Sequence, residues 1–162
     1  MFLKSVQITN YKCINDSEEF TISSLTCLVG KNESGKSAIL QSLYKFNPVE
    51  PDKQYDTVEE YPRNYLIDYE ANPTDAASNI LNTSWEIEDE ECQNLEQILG
   101  PNSIADRIVT VKKGYNNTFT WDVSINQSQI LKFYLSMVKL DEGFLESLSG
   151  VSSVGELFKV AL

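Results

Sequence analysis

The 162 residues include 13 lysines and arginines, 24 aspartates and glutamates and no histidine, for a net charge of −11. A hydrophobic fraction of 41% with 23% charged residues describes a globular chain, long enough for one domain with a real core. The missing histidine excludes Ser-His-Asp and Cys-His catalysis and any histidine metal ligand.

The acidity is local. Residues 1–45 carry +1, residues 46–100 carry −12 and residues 101–162 are neutral. No broad basic surface for gripping duplex phosphates is visible, so DNA is expected as a partner only through a larger assembly. Cys13, Cys27 and Cys92 show no C-x-x-C spacing and are expected as reduced thiols rather than a disulfide framework or a zinc site. The apolar runs are too short to span a membrane, and the start MFLKSVQITNYKC lacks the apolar core and cleavage site of a secretion signal. The expected location is cytoplasmic.

In chain order, residues 2–14 alternate as a strand, with Phe2, Val6 and Ile8 among polar neighbours. Residues 18–23 form a second short strand candidate. Leu25-Thr26-Cys27-Leu28-Val29 is a compact apolar run ending at a glycine, which predicts a buried strand. Ile39, Leu40, Leu43, Tyr44 and Phe46 then recur at helical spacing, up to a stop at Asn47-Pro48. Residues 47–80 hold four of the five prolines and read as an acidic surface excursion with at most short elements. Residues 83–88 resemble a strand, and Asp89 is expected to cap a helix through Leu99 that Gly100-Pro101 ends. Ile108, Thr110 and Lys112 oppose Val109 and Val111, Gly114-Tyr115-Asn116-Asn117 turns the chain, and Phe119, Trp121, Val123 and Ile125 alternate after it. The expectation over 107–125 is a hairpin with one buried face. Residues 128–162 shift to helical spacing, with Ile130, Leu131, Phe133, Tyr134, Met137 and Val138 on an apolar face.

The chemistry lies between the apolar run and the first helix. Gly30-Lys31-Asn32-Glu33-Ser34-Gly35-Lys36-Ser37 matches G-x-x-x-x-G-K-[ST], whose four fixed positions meet by chance in roughly one chain per hundred of this length, or fewer. The glycines let the backbone curl so that successive N–H groups face an anion, and the helix N-terminus adds partial positive charge. Lys36 would reach the β- and γ-phosphates and the Ser37 hydroxyl would coordinate Mg²⁺. The cofactors expected are therefore ATP and Mg²⁺, with Gly30, Asn32, Glu33, Ser34, Gly35, Lys36 and Ser37 as the binding loop.

The stretch from Ile8 to Pro48, with ITNYKCI and TCLVGKNESGKSAILQSLYKFNP, resembles the N-terminus of ABC-like ATPases of the RecF, SMC and OLD groups. The GKNESGKS wording followed by Glu60-Tyr61-Pro62-Arg63 is most similar to the OLD-type ATPases, which commonly join an ATPase domain to a Toprim nuclease and act in bacterial and phage defence. The resemblance is specific over about the first 65 residues. It implies an α/β fold: a P-loop NTPase with an ABC-ATPase-like N-terminal lobe, a mixed sheet and a helical C-terminal extension. It also implies that the turn after the first strand, Tyr11 and Lys12, lies near the nucleotide. The corresponding organisation is a nucleotide-binding lobe over 1–127 and the start of an insertion or dimerisation arm over 128–162.

Such ATPases complete the site with a signature loop, a strand ending in Asp-Glu and usually a switch histidine. Met137-Val138-Lys139-Leu140-Asp141-Glu142 and Leu148-Ser149-Gly150 offer only partial matches in the wrong order, so no catalytic residue is assigned. The acidic run Glu86 to Glu91 reads as a solvated helix start rather than a cation site. Lys112 and Lys113 are too few to mark a nucleic-acid contact. The leading expectation is an ATP-binding portion that needs a second half and a homo-oligomeric or other protein partner for hydrolysis. The alternative is a non-catalytic assembly fragment with a vestigial P-loop. A complete small kinase is disfavoured because the middle reads as an antiparallel hairpin rather than repeated βα units.

Overall fold

The computed structural model describes residues 1–74, 78–137 and 153. Among the described residues, six strands and five helices follow in the order β1 (Phe2–Tyr11), β2 (Ile14–Asp16), β3 (Phe20–Thr21), α1 (Lys36–Phe46), α2 (Thr57–Glu60), α3 (Leu66–Ala71), β4 (Asn79–Glu86), α4 (Asp89–Leu99), β5 (Ile104–Gly114), β6 (Phe119–Ile125) and α5 (Gln127–Met137). The partial matches at 138–142 and 148–150 lie outside the described residues.

The sheet runs β2-β1-β4-β5-β6, with β3 also paired to β1. All three pairings of β1 are antiparallel, with Val6 opposite Thr83 and Ile8 opposite Leu81. Along β4 the partner on β5 falls as the chain advances: Ser78 O accepts from Tyr115 N–H at 3.0 Å and Thr83 Oγ1 donates to Val111 O at 2.8 Å. That pairing is therefore antiparallel too. The four-residue connection between β5 and β6 forces the same direction there, because parallel neighbours need a long crossover. The mixed sheet expected from the sequence is thus not formed among the described residues.

The reason is the apolar run before the P-loop. Leu25–Val29 forms no strand, and Leu25 and Val29 are 88% and 89% exposed. A buried strand needs hydrogen-bonding neighbours and covered faces. Among the described residues this run pairs with no strand and is largely exposed, so its apolar composition does not become burial.

The contacts divide the chain into two units. One comprises Phe2–Glu86 and Val109–Asp122. Its core gathers Val6, Ile8, Tyr11, Ile14, Ala38, Tyr55, Tyr61, Ile80, Leu81 and Tyr115, with Ile39, Leu43 and Phe46 of α1 packed against it. Four of these core residues are aromatic, and Tyr61 stacks on Tyr69 with ring centres 4.4 Å apart. Tyr55 and Tyr61 come from the acidic excursion, so that segment supplies core as well as surface. Lys113 closes the far end of α1: its ammonium donates to the carbonyls of Lys45 and Phe46, each at 2.9 Å. Those are orphan carbonyls of the last helical turn, where the helix dipole favours a cation. Lys113 is therefore a buried helix clamp and not part of a basic hairpin tip.

The other unit comprises Met1, Ile87–Ile108 and the chain from Val123. Its α4 starts one residue earlier than the sequence suggests. Glu88 is the N-cap and forms a reciprocal capping box with Glu91. The same two carboxylates meet the Met1 ammonium, Glu91 at 2.7 Å. The acidic run thus satisfies a helix end. Ile130 and Leu131 bury one side of α5, and Tyr134 donates to the Ile98 carbonyl at 2.8 Å.

The hairpin keeps its expected place but not its burial. Val109 and Val111 of β5 are buried, whereas every residue of β6 is exposed, Trp121 at 67%. The strand ends the described sheet order, and alternation marks which residues share a face without supplying a layer to cover it.

Burial raises the pKa of Tyr11, Tyr55 and Tyr115, and the nearby Glu60 charge adds to each. A raised phenol favours the folded state fully below the unfolded tyrosine value of about 10 and progressively less above it. Lys113, held down by burial, acts in the opposite direction but is one group against three. Urea-unfolding midpoints are expected to fall steeply above about pH 10, and absorbance at 295 nm should show these three phenols ionising only on unfolding.

Candidate functional site

The P-loop bends through two left-handed positions, Glu33 at φ 68° and Gly35 at φ 89°. Glycine takes this conformation freely, and a Cβ at Gly35 would stand 3.4 Å from Ile14 Cγ1 and 3.6 Å from Cys13 Sγ. Gly35 is also the N-cap of α1 and brings no side chain to the helix end. The first-turn amides of α1 are therefore left without a side-chain cap, at the positive end of an 11-residue helix. That is the backbone geometry for receiving an anion.

Lys36 lies within this curl. Its ammonium donates to the carbonyls of Gly30 at 2.9 Å and Lys31 at 2.5 Å, and to Ser34 Oγ at 3.3 Å. The loop is wrapped around its own lysine, whose three contacts are all exposed and replaceable by phosphate oxygens. Next to it is a cavity of about 450 Å³ lined by Lys12, Cys13, Asn32, Glu33, Gly35, Lys36, Ser37, Ala38 and Gln41. A second cavity of about 550 Å³ shares Lys12 and Cys13 with the first and includes Arg63.

Of the residues the sequence singled out, Asn32, Glu33, Gly35, Lys36, Ser37 and Lys12 line the first cavity. Gly30 and Ser34 serve instead as acceptors for Lys36. Tyr11 is elsewhere: its ring is fully buried in the core and its hydroxyl donates to Glu60 Oε1 at 2.9 Å. The side chains of Tyr11 and Lys12 thus part company, because β1 turns between them. Gln41 was missed, and it accepts from Lys12 Nζ at 2.6 Å. Its position one helical turn after Ser37 places it on the same face of α1, a signal that helical periodicity carries. Cys13 was missed because nothing local marks a turn residue as a cavity wall.

Ser37, a hydroxyl residue, lines the cavity beside the uncapped helix end. A single oxygen ligand fits Mg²⁺, which keeps several waters and takes further oxygens from substrate phosphates. Among the described residues no group of three or more acidic or cysteine side chains could hold a metal unaided.

The family model described as AAA ATPase domain matches residues 1–136. The chain belongs to that family of P-loop ATPases, and membership implies ATP with Mg²⁺ as the cofactor pair. No curated protein sequence matches the chain. A solved structure from work on the structural biochemistry of ATP-driven dimerization and DNA stimulated activation of SMC ATPases aligns over 99% of this chain and 98% of its own at 11% identity. Its TM-score is 0.35, a likeness that carries no argument. No helix among the described residues is long and apolar enough to cross a membrane.

Replacing Gly35 by alanine places a Cβ at a left-handed residue and is expected to lower stability by about 1–2 kcal/mol. Urea unfolding measures this, and an unchanged midpoint would show that the loop does not need this backbone conformation.

Proposed function

We propose that the chain is the ATP-binding N-terminal portion of an OLD/RecF/SMC-like ATPase in a DNA-processing or anti-phage defence system. The observation that supports nucleotide binding most directly is the joint geometry of Lys36, Ser37 and the uncapped α1 N-terminus at one cavity. When bound, Mg²⁺ would neutralise phosphate charge, with Ser37 as its protein ligand. Lys36 exchanges its loop carbonyls for phosphate oxygens, the α1 amides hold the anion, and Asn32, Glu33 and Lys12 form the surrounding wall. The adjoining cavity with Arg63 gives the ligand room beyond the phosphates.

In this reading residues 1–127 are the nucleotide-binding lobe and 128–162 begin an insertion or dimerisation arm. Hydrolysis then requires a second half, with an acidic pair to hold the metal and aim the water, and assembly into a homo-oligomer or with another subunit in the cytoplasm. The exposed Leu25 and Val29, with Leu40 and Tyr44 on the outer side of α1, are apolar surface that such an assembly would cover. The same surface supports the alternative of an assembly fragment whose P-loop is vestigial.

Calorimetric titration of the folded chain with ATP and Mg²⁺ is expected to give saturable binding with little turnover. Lys36→Ala should weaken it at least tenfold, the scale of one lost charge-assisted contact of about 1.5–3 kcal/mol. No saturation by a folded parent, together with self-association indifferent to ATP, would favour the vestigial reading.

A further inference from the structure

Glu60 is a buried carboxylate to which neither the motif nor the family assigns a part. One oxygen, Oε1, accepts from Tyr11 OH at 2.9 Å and from Lys45 Nζ at 2.6 Å, and it lies 3.7 Å from Lys12 Nζ. The other, Oε2, accepts from Asp56 N–H at 3.2 Å. Its main-chain carbonyl accepts from Lys12 N–H at 2.6 Å. One residue therefore holds the turn after β1 through both its backbone and its side chain.

We propose that Glu60 is a positioning residue for the phosphate cavity, acting through Lys12; the proposal rests on the nucleotide-binding reading above. Lys12 sits at φ 53° and Asn10 at φ 52°, left-handed conformations that non-glycine residues keep only when their surroundings impose them. The imposing contacts are visible. Tyr115 OH donates to Asn10 O at 2.6 Å on one side, and Glu60 O receives Lys12 N–H on the other. This backbone sends the Tyr11 ring into the core and the Lys12 ammonium to the wall of the cavity that Lys36 and Ser37 share.

The charges are arranged so that Lys12 remains available. Lys45 is the nearer cation to Glu60 and already matches its charge, so Lys12 at 3.7 Å is attracted without being locked. Its nearest partner among the described residues is the neutral Gln41 amide oxygen at 2.6 Å. A polyanion in the cavity can draw the ammonium from an amide far more readily than from a carboxylate. Glu60 thus places the lysine, and the Glu60–Lys45 pair leaves it free to turn.

A double-mutant cycle tests this, with ATP and Mg²⁺ titrated calorimetrically into the parent, Glu60→Gln, Lys12→Met and the double variant. Glu60→Gln is expected to weaken ATP binding about fivefold in the parent and by less than about twofold when Lys12 is already methionine, because residues sharing one network couple. A merely structural Glu60 would weaken binding equally in both backgrounds, and that result, or no effect in either, overturns the proposal. Tyr11→Phe keeps the buried ring and removes only the hydroxyl on Glu60. It is expected to weaken binding about threefold, again only while Lys12 is present. It carries the test if circular dichroism shows Glu60→Gln unfolded. A folded parent that binds no ATP overturns the nucleotide reading and this proposal with it. A parent that binds ATP, loses it with Lys36→Ala and gives an additive cycle overturns this proposal alone.

Discussion

A carboxylate buried in a protein is tolerable only when its charge is matched and its lone pairs are filled, and at Glu60 that requirement ties three parts of the chain together. Lys45 comes from the last turn of α1, Tyr11 from the end of β1, Lys12 from the turn that follows, and Glu60 itself from the short helix α2. Removing Lys45 or the Tyr11 hydroxyl leaves the Glu60 carboxylate short of a partner beside an aromatic core. The acidic excursion is therefore bound inward at Glu60, and its Tyr55 and Tyr61 pack into the same core, Tyr55 with a hydroxyl that donates to Ser42 O at 2.6 Å. Lys113 repeats the device at the end of α1 with backbone carbonyls in place of a carboxylate.

The P-loop stands at the boundary between ordered and uncovered structure. Behind it, α1 is anchored by Ala38, Ile39, Leu43 and Phe46 against the sheet. Ahead of it, the apolar Leu25–Val29 run has no strand partner among the described residues. The loop still takes its curled form, because its shape depends on local backbone chemistry and on Lys36 satisfying the loop carbonyls. Anion binding needs the helix end and the curl more than it needs the preceding strand to be paired.

The strongly negative overall charge and a phosphate site are compatible for the same reason of locality. Lys36 and Lys12 supply cations to a cavity within the near-neutral first 45 residues, and backbone amides supply the rest. Screening in water confines the acidic segment's influence to roughly a Debye length of about 8 Å. Four acids of that segment are engaged locally: Glu60 in the core, Asp56 as the N-cap of α2, and Glu88 with Glu91 at the N-terminus of α4.

What the sequence determined by itself was what depends on neighbours in the chain. The P-loop, the helix from Lys36 to Phe46, the helix from Asp89 to Leu99 and the turn between β5 and β6 rest on spacing, capping and turn residues, and all were legible. Five of the seven expected P-loop residues reached one cavity wall because the motif is contiguous and its geometry is local. Only the tertiary structure decided burial and partnership. Leu25–Val29 and β6 carry apolar patterns that read as buried, yet burial requires a second surface that no local pattern contains. Tyr11 and Lys12, adjacent in sequence, went to core and cavity because Glu60, 49 residues after Tyr11, holds the turn between them. A contact of that separation leaves no periodic trace, so Glu60 could be read in the sequence as part of Glu60-Tyr61-Pro62-Arg63, but its hold on the turn only once the chain was folded.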